Sequence, residues 1–153
     1  MSLIKLSTEI NAPVVQCFDL ARSIDFHIQT GVSTKEEAIA GKTSGLIGLG
    51  EEVTFRARHF GITQSLTSRI TEYEYCSYFT DEMVKGAFKS LKHRHSFRQQ
   101  GSITVMEDDF FYEVPFGLLG RLFDKIILRK HMKNFLKERN SQLKNALEKR
   151  EIT

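Results

Sequence analysis

The residue types best suited to chemistry in this 153-residue chain stand in the stretch KSLKHRHSF, where His93 and His95 lie two apart. Residues i and i+2 of a β-strand share a face, so the two imidazoles point the same way. Parity fixes which way. Leu91, His93, His95 and Phe97 make up one face, and Ser90, Lys92, Arg94, Ser96 and Arg98 the other. Burying the second face would desolvate three cations, each at a cost on the order of several kcal/mol. The histidines therefore face inward. The next segment alternates too, and presents Thr104, Met106, Asp108, Phe110 and Tyr112 to the same interior. A two-residue turn at Gln100-Gly101 would set His95 opposite Met106 and His93 opposite Asp108, and another turn of equal parity would move the partners by two. A carboxylate beside an imidazole raises its pKa and fixes its tautomer. Such a pair can orient a base, orient a ligand, or satisfy two buried polar groups, and the residues leave all three open.

Other reactive side chains are less suggestive. A metal centre needs three or four convergent ligands, and His93, His95, Asp108 and His59 are the only candidates, so no metal is expected. Cys17 and Cys76 lack a CxxC spacing and are read as packing, which disfavours a disulfide scaffold or a zinc ribbon. Asp81 and Glu82 either turn one carboxylate inward beside Met83 or mark a strand edge. Phe55, Leu66, Phe79, Met83, Leu91, Met106, Phe110, Leu122, Phe123 and Ile126 offer an apolar wall around the Tyr112 hydroxyl. The glycines of KTSGLIGLGEE form no phosphate loop, because no Gly-Lys-Ser/Thr closes them.

The elements that must position these groups follow from periodicity. Residues 4–10 alternate as a half-buried strand, and Pro13 suits the first turn of a helix. Val14, Cys17, Phe18 and Ala21 recur at helical spacing, which predicts one or two short helices. From Glu51 to Val114 the period is two, broken by short turns, as in an antiparallel meander. Pro115 and Gly117 end the sheet. A long helix follows, with an apolar stripe that includes Leu119, Leu122, Phe123, Ile126, Met132, Leu136, Leu143 and Leu147. Its first half is the more densely apolar and is expected to be the more buried. A sheet with one apolar face needs a cover, and this helix is the only large one. The space between a curved sheet and a helix becomes a small-molecule pocket.

Composition sets the class. The chain is 41% hydrophobic and 27% charged, which suits one globular domain over residues 1–153. It holds neither a membrane-spanning apolar run nor a secretory leader, so a reducing cytoplasm is its simplest home. Formal net charge is +3. From Arg121 to Arg150 ten Lys/Arg face three acidic residues, about +7, and the remainder is net acidic. A solvated helix face accounts for this run. Without interleaved aromatic platforms no nucleic-acid partner is expected.

The run YFTDEMVKGAFKSLKHRHSF followed by GSITVMEDDFFYEVPFGLLG resembles the SRPBCC superfamily, the START-like and polyketide cyclase/dehydrase-like proteins. The likeness is to its bacterial ligand-binding branch. It rests on Phe79, Asp81 and Glu82; Gly86 and Phe88; His93, His95 and Phe97; Met106, Asp108, Tyr112, Pro115, Phe116 and Gly117; and on Glu138 to Asn140 in the long helix. Ala87 replaces the usual proline, and Leu91 the usual aromatic. The resemblance implies an α+β helix-grip fold, a curved antiparallel sheet wrapped around a long C-terminal helix, with two short helices after the first strand. It also implies binding of a hydrophobic small molecule in a cavity between sheet and helix, as carrier or sensor, without cofactor. The alternative is a cyclase or dehydratase using His93, His95, Asp108 and Tyr112 on a polyketide-like substrate. The oligomeric state is not readable.

Overall fold

The computed structural model describes residues 1–150, the Arg150 side chain excepted, so the last three positions of the expected domain lie outside the described residues. Strand β1 (Ser2–Ile10) leads into helices α1 (Val14–Ala21) and α2 (Ile24–Thr30). Pro13 precedes α1 with the extended backbone of a cap, and the Ser23 hydroxyl caps α2 by accepting from the Phe26 amide at 3.2 Å. Six more strands follow: β2 (Glu37–Gly41), β3 (Glu52–His59), β4 (Ile62–Glu74), β5 (Tyr78–Lys85), β6 (Ser90–Gln100) and β7 (Ile103–Glu113). The C-terminal helix comprises α3 (Gly117–Phe123), a π-turn over Asp124–Leu128, and α4 (Arg129–Arg150).

All seven strands join one antiparallel sheet in the order β1-β7-β6-β5-β4-β3-β2. The two short helices carry the chain from one edge of the sheet to the other. That crossover, with the C-terminal helix laid across the concave face, is the predicted helix-grip arrangement.

The expected β6–β7 pairing is displaced by two residues. The turn is Gly101-Ser102, so Gln100 pairs with Ile103, His95 with Asp108, His93 with Phe110 and Leu91 with Tyr112. Gly101 takes a φ of 61°, which glycine adopts without steric cost and Gln100 would not. Parity survives the displacement, so the inward faces are as expected.

Core packing divides along the C-terminal helix. Phe18 of α1 meets Tyr73, Phe79 and Phe97 edge-on and packs in one cluster with Ile10, Met106, Leu143 and Leu147. A second cluster joins Ile4, Leu91, Phe110 and Tyr112 to Met132 and Leu136. Leu143 and Leu147 are thus buried, whereas Leu118, Leu119, Leu122 and Ile126 are exposed. This corrects the expectation that the first half of the helix is the more buried. The last turns lie against α1 and β1, and the first turns run out past the sheet.

Those first turns are nevertheless fixed. Gly120 sits so close to the end of β7 that a Cβ there would approach the Pro115 carbonyl oxygen to 1.8 Å. Asp124, in the π-turn, is buried and accepts hydrogen bonds from the hydroxyls of Ser2 and Tyr112, each at 2.5 Å. Burial and this contact push the Tyr112 phenol up to about 12.

Candidate functional site

Between the concave sheet face and the C-terminal helix lies a cavity of about 640 Å³. A space of that size holds a drug-sized ligand. Its sheet wall includes Phe55, Leu66, Phe79, Leu91 and Phe110, and its helix wall Met132, Phe135 and Leu136. Val53, Phe55, Ala57 and His59 of β3 and Leu91, His93 and His95 of β6 border the cavity at every second position, as strand geometry requires. The wall is largely apolar, though Arg22, His59, Gln64, Ser65, Ser68 and His131 also border it, and two clusters of buried polar groups stand out.

The first is built on β5, β6 and β7. His93 donates from Nε2 to Asp108 Oδ1 at 2.8 Å, and His95 Nδ1 stands 3.2 Å from the same oxygen. Asn140, on α4, donates to Asp108 Oδ2 at 2.7 Å. His95 Nε2 donates to Asp81 Oδ2 at 3.1 Å. The two imidazoles lie against each other with centroids 3.8 Å apart, and Phe79 stacks on His95. Burial disfavours a charged His95, but its hydrogen bonds to Asp108 and Asp81 outweigh that and hold its pKa at about 9. Burial would raise Asp108 as well, yet the two histidines keep its carboxyl far below the usual carboxylate range. Asp81 is likewise held below its ordinary value, through its bond to His95 against the effect of burial. At neutral pH His95 is therefore an imidazolium between two carboxylates.

The second polar place joins α2, the segment before β2, and α4. Glu36 is buried and accepts from Arg139 at 2.6 Å. Burial opposes its charge, but His27 and Arg139 hold its pKa at about 2. His27 stacks on Phe55, and its Nδ1 lies 3.7 Å from Glu36 Oε1, beyond hydrogen-bond reach. Burial and the Arg139 charge both lower the His27 pKa. Two buried atoms here, His27 Nδ1 and Arg139 Nε, have no hydrogen-bond partner among the described residues.

Eight of the fourteen lining positions expected from sequence border the cavity: Phe55, Leu66, Phe79, Leu91, His93, His95, Phe110 and Phe123. Six do not. Asp108 stands behind the histidines, Met106 is packed in the core beneath them, and Met83 joins the second core cluster. Tyr112 directs its hydroxyl to Asp124 rather than into the space. Leu122 and Ile126 are on the solvent side of their helix. The π-turn and the outward run of the helix start explain these last two, because a regular amphipathic stripe presumes an unbroken helix lying on the sheet.

Several polar residues had no role assigned from sequence. Arg139 and Asn140 entered only through the resemblance at Glu138 to Asn140, and Glu36 was not singled out. His59, weighed from sequence only as a remote fourth ligand beside His93, His95 and Asp108, meets His131 of α4, Nδ1 to Nε2 at 3.0 Å. Only the inward alternative for Asp81 pointed to its true position.

The first cluster offers two kinds of chemistry. His95 is a hydrogen-bond and charge donor facing the cavity, not a free base. Asp81, His93 and His95 could also hold a cation, since one ligand atom from each falls within 4.8 Å of the others. Two imidazoles and a carboxylate suit a first-row transition metal, with Asp108 orienting the rings from behind.

No family model and no curated protein matches the chain by sequence. Solved structures do match. The protein TTHA0849 from Thermus thermophilus superposes with a TM-score of 0.74 at 16% identity, over 95% of this chain and 99% of that one. A START superfamily protein from Mycobacterium smegmatis gives 0.73 at 15% identity, over 96% and 97%. The major latex-like protein 151 of Panax ginseng gives 0.67 at 13% identity, over 95% and 97%. End-to-end coverage at these scores establishes the architecture: the chain has the helix-grip fold of START-like proteins, which its sequence resembles.

Proposed function

We propose that this protein binds a hydrophobic small molecule between sheet and helix, as a carrier or sensor, with a hydrogen-bonding end of that molecule set among the inner polar side chains. The observation that carries this reading is the largely apolar cavity of about 640 Å³ with two clusters of buried polar groups in its wall. Dispersion and burial of apolar surface would supply the affinity, and a few placed polar groups the orientation. The unpartnered Nδ1 of His27 and Nε of Arg139 favour a ligand with a hydrogen-bond acceptor, because an Arg Nε–H can only donate.

A cyclase or dehydratase is the second reading. It keeps the buried His93–Asp108 contact and a cationic donor in His95, but it loses Tyr112, whose hydroxyl is committed to Asp124. Proton abstraction would also need a base within about 3 Å of the substrate, and an imidazolium held between carboxylates is not one.

The test is a titration with a fluorescent apolar probe in wild-type protein and in Leu91→Trp, which restores an aromatic at a wall position. One-to-one binding is expected, weakened about tenfold or more by the larger side chain, since overfilling a packed site costs roughly 1–3 kcal/mol. Equal affinity in the two proteins would contradict binding in the cavity.

A further inference from the structure

The wall of the cavity continues outward into a surface that the ligand-binding reading does not use. Where the C-terminal helix runs past the sheet, Phe116 is 85% exposed, Leu118 and Leu119 78% each, and Ile126 63%. Opposite them, at the β3–β4 turn, Phe60 and Ile62 are also exposed. These two tips form one surface: the Phe60 ring lies 5.8 Å from that of Phe123, and Phe60, Ile62, Phe116 and Phe123 all border the same cavity. Contiguous exposed apolar surface of this kind marks an interaction site.

Two of its aromatics are held in a costly conformation. Phe60 has a φ of 53° and Phe116 a φ of 69°, the left-handed region that glycine occupies freely and a bulky residue occupies under strain. Each is followed by a glycine that is left-handed as well, with φ 74° at Gly61 and 54° at Gly117, so each turn sets two successive residues in this conformation. The strain is understandable where the ring itself is needed on the surface.

Charge identifies the partner. Residues 116–130 carry Arg121, Lys125, Arg129 and Lys130, all exposed, and their one acidic residue is Asp124, buried against Ser2 and Tyr112. The facing turn, 57–64, adds exposed Arg58 and no carboxylate. An apolar surface rimmed by cations matches an anionic lipid interface, whose acyl region receives the apolar side chains while its head groups meet the bases.

We infer that the mouth of the cavity docks on an anionic phospholipid bilayer through the α3 and π-turn surface and the Phe60 turn, so that an apolar ligand passes between lipid and cavity without crossing water. The inference rests on the ligand-binding reading for its purpose and on the exposed surface for its evidence. It also gives the basic start of the helix a role other than solvation.

Co-sedimentation of the full chain with vesicles tests it. Phosphatidylcholine vesicles doped with phosphatidylglycerol should retain the protein, and added salt should release it. Lys125→Gln combined with Lys130→Gln should weaken that retention by about 25-fold, since each base near an anionic surface strengthens binding about fivefold. Leu118→Ser with Leu119→Ser should weaken it by about tenfold or more. All four positions are exposed, so both variants should keep the wild-type melting temperature. No retention of the wild type would overturn docking. So would unchanged retention in the leucine variant, or a wild-type dimer in sedimentation velocity that the same variant dissolves, because a second copy would then cover the surface. Retained small molecule without vesicle binding would overturn docking alone; vesicle binding by a protein that takes up no apolar probe would overturn the cavity reading alone.

Discussion

The two ends of the cavity are built on opposite terms. At the inner end, polar groups are buried and nearly all are paired: Asp108 alone serves His93, His95 and Asn140. At the mouth, large apolar groups stand in water, and the one carboxylate of residues 116–130, Asp124, is turned into the protein. Each end is costly for the free protein, the first through desolvated charge and the second through exposed hydrocarbon. The contrast gives the cavity a direction. On the proposed function, a molecule with an apolar body and one polar end would enter it polar end first.

The sharpest way to break this comparison is to remove the carboxylate on which the inner end depends. Asp108→Ala strands an imidazolium and an amide and should cost about 3–5 kcal/mol in urea unfolding. Asp108→Asn, which keeps an acceptor, should cost less. A loss below about 1 kcal/mol for the alanine variant would mean the inner cluster is not a structural keystone.

Proton linkage should set the ends apart as well. The folded pKa of His95, about 9, lies above its ordinary value, so its contribution is complete below about pH 6.5 and lost as pH rises through 9. Asp108 and Asp81 are depressed, so theirs is present above the usual carboxylate range and lost as pH falls. Wild-type protein should accordingly lose up to about 3 kcal/mol between pH 6.5 and 9.5, and His95→Gln should be nearly flat over that interval. Parallel curves would show that His95 does not sit between two ionised partners.

Smaller effects are expected toward the mouth. Tyr112→Phe removes one of the two hydroxyls that hold Asp124 and should cost about 1–3 kcal/mol by thermal or urea unfolding. Leu119→Ser, on the exposed surface, should change stability by no more than about 0.5 kcal/mol. A large loss at Leu119 would place that side chain in a packed interface and erase the distinction between the ends.

How much of this was legible in sequence follows the same division. Strand parity placed His93 and His95 inward because the opposite face carries three cations that cannot be buried cheaply. It also brought Asp108 to the same side, even though the turn at Gly101-Ser102 moved the pairing by two. Parity is a local property and survives such a slip; partner identity does not. Arg139 and Asn140 entered only with the resemblance, and their partners Glu36 and Asp108 were not legible, since contacts across 103 and 32 residues leave no periodic trace. The mouth was misread for a different reason. Leu122 and Ile126 have the spacing of a buried stripe, but spacing cannot tell a helix face laid on a sheet from one that overhangs its edge.

The central claim, that the hollow between sheet and helix holds an apolar molecule, is tested most directly by native mass spectrometry of protein freshly purified from cells. The account predicts a second species heavier than the bare chain by the mass of one non-covalent small molecule, which denaturation releases and Leu91→Trp diminishes. A single species at the mass of the bare chain, together with no uptake of apolar compounds supplied afterwards, would contradict it.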